Sequence, residues 1–137
     1  MAMKDLLLAA QHAARHAYAP YSHFKVGAAV RTASGRVFSG CNVENAAYPL
    51  GHCAERSAIA AAVGEEGGAC QIIEVAVHAE DELGVAQPAP PCGACRQCIH
   101  ELGAKARVHF LSPNGEQVTQ GIEDLLPFAF KLRRAAT

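Results

Sequence analysis

Residues 53–111 read CAERSAIAAAVGEEGGACQIIEVAVHAEDELGVAQPAPPCGACRQCIHELGAKARVHFL, and the alternation inside this stretch decides the fold. Cys53 to Val63 is rich in Ala and free of breakers, and Gly64, Gly67 and Gly68 supply a stop, so the run reads as a helix. Ile72 to His78 (IIEVAVH) is β-branched and reads as a strand. Glu80 to Pro91 is expected to be an acidic, Pro-containing loop, Gly93 to Leu102 a short helix ended by Gly103, and Arg107 to Leu111 a final strand. Strands separated by helical crossovers imply parallel neighbours in an α/β layered sheet of mixed direction.

Working outward, Leu6, Leu7, Ala10, Ala13, Ala14 and Ala17 recur at helical spacing until Pro20, which predicts an amphipathic helix lying on the sheet. Lys25 to Arg31 and Arg36 to Cys41 are short apolar or alternating runs separated by Thr-Ala-Ser-Gly, the pattern of an antiparallel hairpin. A small helix is expected around Ile122 to Leu126, ended by Pro127. No repeat, linker or low-complexity segment interrupts residues 1–137, so one domain is expected.

Half of the 137 residues are hydrophobic, enough for a real core. A formal charge of −1, with five Phe, three Tyr and no Trp, is a poor footprint for nucleic acid or a membrane surface. The apolar run Leu6 to Ala10 is broken at once by Gln11 and His12, so the N-terminus reads as neither a signal peptide nor a span. Without a secretion signal, the six Cys favour metal or catalytic use over disulfides, and a cytosolic location is expected.

Pro91-Cys92-Gly93-Ala94-Cys95 places two thiols at a helix start, where the partial positive charge of the N-terminus favours thiolates. Alone, C-x-x-C also fits a redox pair or half of a structural zinc site. Cys53-Ala54-Glu55 adds a third soft ligand at another helix start, followed by a carboxylate. On a regular helix positions 53 and 55 diverge by roughly 200°, so Glu55 is placed to meet a water rather than to bind the same metal. Three protein ligands, one open position and a free carboxylate make a hydrolytic site. Cys98 extends the series to C-x-x-C-x-x-C, but a fourth thiolate would leave Glu55 nothing to act on, so Cys98 is expected to pack in the core, as are Cys41 and Cys70. His52 adjoins Cys53 and competes with it as a ligand, although Cys53 has the better spacing to Glu55.

These residues match the H-or-C-x-E and P-C-x-x-C signature of zinc nucleobase and nucleoside deaminases. From Ala19-Pro20-Tyr21-Ser22 to Phe130 the chain resembles the small homotetrameric cytidine deaminases, through Phe24-Lys25-Val26-Gly27-Ala28-Ala29, Asn42-Val43-Glu44-Asn45-Ala46, Cys53-Ala54-Glu55-Arg56 and Pro91-Cys92-Gly93-Ala94-Cys95-Arg96-Gln97. The resemblance implies a three-layer α/β fold with a mixed five-stranded sheet covered by helices. It also implies one Zn2+ per subunit on Cys53, Cys92 and Cys95. The implied reaction is hydrolysis of cytidine and deoxycytidine to uridine and deoxyuridine with release of ammonia, in cytoplasmic pyrimidine salvage. Water activated on zinc attacks C4, and Glu55 moves protons to N3 and the leaving amine.

By the same resemblance, Asn42 and Glu44 hold ribose hydroxyls, Phe24 packs against the nucleoside, and backbone near Ala54 and Cys92 reads the base edge. A C-terminal aromatic reaches a neighbouring subunit's site; Phe130 occupies that place, with Phe128 beside it. The partners implied are a pyrimidine nucleoside and further copies of the chain, with no nucleic acid and no membrane. Three thiolates on Zn2+ sum to −1, which weakens water activation, so Arg56 is expected to offset that charge by donating hydrogen bonds to the thiolates, with Arg96 as a second candidate.

Overall fold

The computed structural model describes residues 2–134. Its elements, in order, are α1 (Ala2–Ala14), β1 (Lys25–Thr32), β2 (Val37–Cys41), α2 (Ala54–Glu66), β3 (Ile72–Glu80), β4 (Ala86–Gln87), α3 (Gly93–Leu102), β5 (Arg107–Leu111), β6 (Gln117–Gly121) and α4 (Ile122–Leu125). The helical spacing that runs to Ala17 outlasts the α-helix. Beyond Ala14 the chain tightens into bonds from His16 N–H to the Ala13 carbonyl (3.0 Å) and from Ala17 N–H to the Ala14 carbonyl (3.1 Å).

Among the described residues the mixed sheet has six strands, one more than the five expected: β2-β1-β3-β5-β6 in order, with β4 paired to β3 off this path. β1 runs antiparallel to both β2 and β3, β3 and β5 are parallel, and β6 is antiparallel to β5. The crossover through α3 joins parallel neighbours, as its sequence implies. The crossover through α2 differs, because β1 lies between the two parallel strands, β2 and β3, that α2 connects. Two strands escape a reading of local pattern. β6, polar in composition (QVTQG), returns from β5 through Ser112-Pro113-Asn114-Gly115, where Gly115 takes a φ of 84°. β4, inside the expected acidic loop, pairs Ala86 and Gln87 with the end of β3. β1 occupies the other edge of β3 along its length, so β4 continues the β5 side past the end of β5.

Alternation along β1 and β3 separates the layers. Ala29 and Ala76 face α1, where they pack with Leu6 and Ala10. Ala28, Val30, Val75, Val77 and Ala79 face the opposite way, into the core built with Ala58, Ile59 and Ala62 of α2, Ile99 of α3 and Ile122 of α4. α2 sits on β2 so closely that a Cβ on Gly40 would lie 2.5 Å from the Ala58 nitrogen. That close seat fixes where the N-terminus of α2 emerges. Among the described residues no helix is long and apolar enough to cross a membrane.

Candidate active site

α2 and α3 begin side by side, and a cysteine holds the N-cap of each. Cys53 and Cys92 are both extended, and their carbonyls accept the first helical bonds, from Ser57 N–H (3.1 Å) and Arg96 N–H (2.9 Å). Neither side chain caps its own helix, so both sulfurs are free for another use. Cys95, one turn into α3, is fully buried. The Sγ atoms of Cys53, Cys92 and Cys95 lie within 4.8 Å of one another. Zn–S bonds of about 2.3 Å at tetrahedral angles separate thiolates by roughly 3.8 Å, so the cluster fits zinc in spacing and in donor type.

The sulfurs also interact with one another and with Arg56. Cys53, accepting from the Cys95 thiol and from Arg56, has its pKa lowered to about 5. Cys95, which donates to Cys53 and is buried, is pushed the other way. Thiolate is thus favoured at Cys53 and thiol at Cys95, and a metal binds such ligands in their deprotonated form. The bond to Cys53 also raises the pKa of Arg56. The Arg56 Nη2 donates to the Gly51 carbonyl at 3.3 Å, while its Nε is buried with no hydrogen-bond partner among the described residues. Arg96 does not share this role: its Nε donates to the Pro91 carbonyl (2.7 Å) and its Nη1 to the Leu125 carbonyl (2.9 Å), tying α3 to α4.

Glu55 stands in the first turn of α2, 5% exposed. Burial raises its pKa to about 7, and the Cys53 thiolate adds to the rise. Glu55 lies outside the trio of candidate ligands, yet its carboxyl is close enough to bond to Cys95.

Cys53 and Cys92 of the cluster line a cleft of about 560 Å³, together with Phe24, Asn42, Glu44, Ala54 and Glu55, while Cys95 is buried outside its lining. Asn42 is held by backbone on both sides: its Oδ1 accepts Val26 N–H (2.8 Å) and its Nδ2 donates to the Phe24 carbonyl (2.9 Å). Glu44 accepts from the N–H groups of Tyr21 (2.9 Å) and Ser22 (3.2 Å) and from the Ser22 hydroxyl. The Ser22 bond is the largest of the effects that lower the Glu44 pKa.

Several expected placements separate here. Phe130 does not line the cleft of its own chain; it is largely exposed, its carbonyl held by Gln97 Nε2 at 2.9 Å. Phe128 is fully exposed, at a φ of 55°. His52 lines the cleft but pairs its backbone with Val43 and stays outside the sulfur cluster. Cys98 packs against the core, Cys70 is part of it, and Cys41 is half-buried at the end of β2. Sequence reasoning passed over Ser22 and Pro88–Pro90, which also line the cleft. For the prolines the available signal was their position just before Pro91-Cys92.

Residues 2–111 match the family model described as the cytidine and deoxycytidylate deaminase zinc-binding region. The chain belongs to this family. A cytidine deaminase of Halalkalibacterium halodurans is 41% identical over 126 residues, 91% of each chain. The solved cytidine deaminase of Burkholderia pseudomallei superposes with a TM-score of 0.81 at 44% identity, covering 95% of this chain and all of that one. The solved cytidine deaminase of Mycobacterium leprae gives 0.74 at 38% identity, over 93% and 98%. Membership makes the chain a hydrolytic, zinc-dependent deaminase, and its three-cysteine cluster is able to hold the metal.

Proposed function

We propose that this deaminase converts cytidine and deoxycytidine, with water, to uridine and deoxyuridine plus ammonia, as a step of pyrimidine salvage in the cytoplasm. The observation that carries the reading is the meeting, in one cleft, of Cys53 and Cys92, a buried carboxyl and the walls Phe24, Asn42 and Glu44, with the buried Cys95 sulfur within 4.8 Å of the other two. Cys53, Cys92 and Cys95 hold one zinc ion per chain. Bound there, zinc supplies Lewis-acid activation of water.

Everything else falls to the chain's own groups. Phe24 offers a flat apolar wall to the nucleoside, while Asn42 and Glu44 offer an amide and a carboxylate to sugar hydroxyls. The backbone at Ala54, buried where α2 starts, reads the edge of the base and holds C4 over the floor of the cleft. Glu55, shielded from bulk water, takes a proton from the attacking water and passes it to N3, then takes the proton of the hydroxyl formed at C4 and passes it to the departing amine. The Arg56 guanidinium offsets the surplus negative charge of three thiolates.

Phe128, Phe130 and Leu132 expose large apolar surface at the end of the chain, next to the basic Lys131, Arg133 and Arg134. Tyr48, nine-tenths exposed, does the same in the lining of the cleft, and Leu50 is exposed two residues further along. These surfaces support a homotetramer in which Phe130 completes a neighbour's cleft. Purified protein is tested with cytidine, deoxycytidine, adenosine and cytosine, following ammonia release with and without a chelator. Release from the first two alone, abolished by chelation and restored by zinc, is expected; none from cytidine would reject the assignment. Sedimentation giving a monomer at full activity would reject the tetramer.

A further inference from the structure

The walls of the cleft are tied together by one hydroxyl. The Ser22 Oγ donates to Glu44 Oε2 and accepts the N–H of Phe24 at 3.0 Å. Glu44 Oε1 takes the N–H groups of Tyr21 and Ser22 as well. A carboxylate has about four lone-pair sites. Three are filled, so Glu44 is held in one orientation with one acceptor site left over.

Phe24 is gripped from both sides, its N–H by Ser22 and its carbonyl by Asn42 Nδ2. Between Ser22 and Phe24 the backbone of His23 sits at a φ of 57°, with its N–H donating to the Ala19 carbonyl at 3.0 Å. A non-glycine residue at positive φ costs energy and persists only where its surroundings hold it there. Here the turn it makes lets Ser22 and Phe24 line the same cleft. Tyr18 anchors the near end of the segment, its N–H donating to the Asn42 carbonyl (3.0 Å) and its carbonyl accepting from Glu44 N–H (2.8 Å).

We propose that Ser22 is a positioning residue of the nucleoside cleft: its hydroxyl couples the carboxylate of Glu44 to the backbone that carries Phe24, across the strained turn at His23. The inference rests on the reading that Phe24 and Glu44 bind the nucleoside. Ser22 acts through them and does not touch the reacting atoms, so its loss weakens binding and leaves the chemical step alone.

Steady-state kinetics on cytidine, with zinc content, test this in the zinc-loaded enzyme. Ser22→Ala is expected to raise KM about tenfold, the scale of one hydrogen bond to a charged group, with kcat and zinc unchanged to within roughly twofold. Ser22→Thr, which keeps the hydroxyl, restores most of the loss. His23→Val, a β-branched residue at positive φ, raises KM in the same way. In a Glu44→Gln background Ser22→Ala adds less than about threefold, because the two act as a unit. A full tenfold effect in that background, a fall in kcat matching the rise in KM, or no rescue by Thr overturns the role of Ser22 alone. Wild-type KM in Glu44→Gln removes the underlying reading of the cleft and the proposal with it.

Discussion

Cys53 and Cys92 occupy the same position, the N-cap, of two helices that start against one another, and their sulfurs meet Cys95 within 4.8 Å. Single serine substitutions at 53, 92 or 95 each remove a thiolate and are expected to leave less than about a tenth of the zinc per chain, by elemental analysis. Cys98→Ser, outside the cluster, keeps a full equivalent. Loss of zinc from Cys98→Ser would mean a fourth thiolate ligand and a closed, structural site.

Glu55 is buried beside the cluster without belonging to it. Glu55→Gln keeps the shape and the hydrogen-bonding but not the proton, so zinc and melting temperature are retained while kcat drops by roughly 10²–10⁴-fold. Turnover at the wild-type rate would end the proton-transfer role.

For Arg56 the expected loss is in the metal. Arg56→Ala leaves the thiolate charge uncompensated, so zinc is surrendered to a competing chelator at a lower chelator concentration, by roughly 10–100-fold, and turnover falls with it. Unchanged competition and turnover would reduce Arg56 to a link to the Gly51 carbonyl.

Gly40 sets the seat of α2. In Gly40→Ala the new Cβ meets the Ala58 nitrogen at 2.5 Å, a backbone atom that cannot swing away, so α2 has to lift from β2. A cost of roughly 1–3 kcal/mol in a denaturant melt is expected, together with weaker zinc retention, because the lifted helix carries Cys53. Full stability and full zinc would show that the close seat does not matter.

Glu74 lies on the α1 side of the sheet between Arg31 Nε (3.2 Å) and His109 Nε2 (2.6 Å). Burial alone would push its pKa up, but the bonds from His109 and Arg31 outweigh that and hold it below the usual 4.5. A lowered folded-state pKa means stability that is present above 4.5 and lost as pH falls through the folded value. Wild type is therefore expected to melt higher than Glu74→Gln at neutral pH, with the gap closing below about pH 4.5. A gap independent of pH would assign the effect to packing.

Much of this protein was legible in local pattern. The Ala-rich run after Cys53, the β-branched run at Ile72 to His78 and the C-x-x-C at a helix start each depend on neighbours a few residues away, and each stands where expected. Local pattern was weakest where pairing, not side chains, makes the strand: β4 has two residues and β6 is polar, and both exist because a neighbouring edge was available.

The sequence by itself determined the chemistry on offer, because residue type and short spacing are enough to name three soft ligands, one carboxylate and an arginine to accompany them. Only the tertiary structure decided that helix starts at Cys53 and Cys92 converge, that Arg96 spends itself on backbone carbonyls while Arg56 stays with the sulfurs, and that Ser22 joins Glu44 to Phe24. The physical reason is range. Helix propensity and ligand spacing act within a turn or two of chain, whereas these meetings depend on β1 standing between β2 and β3 and on α2 packing down onto Gly40.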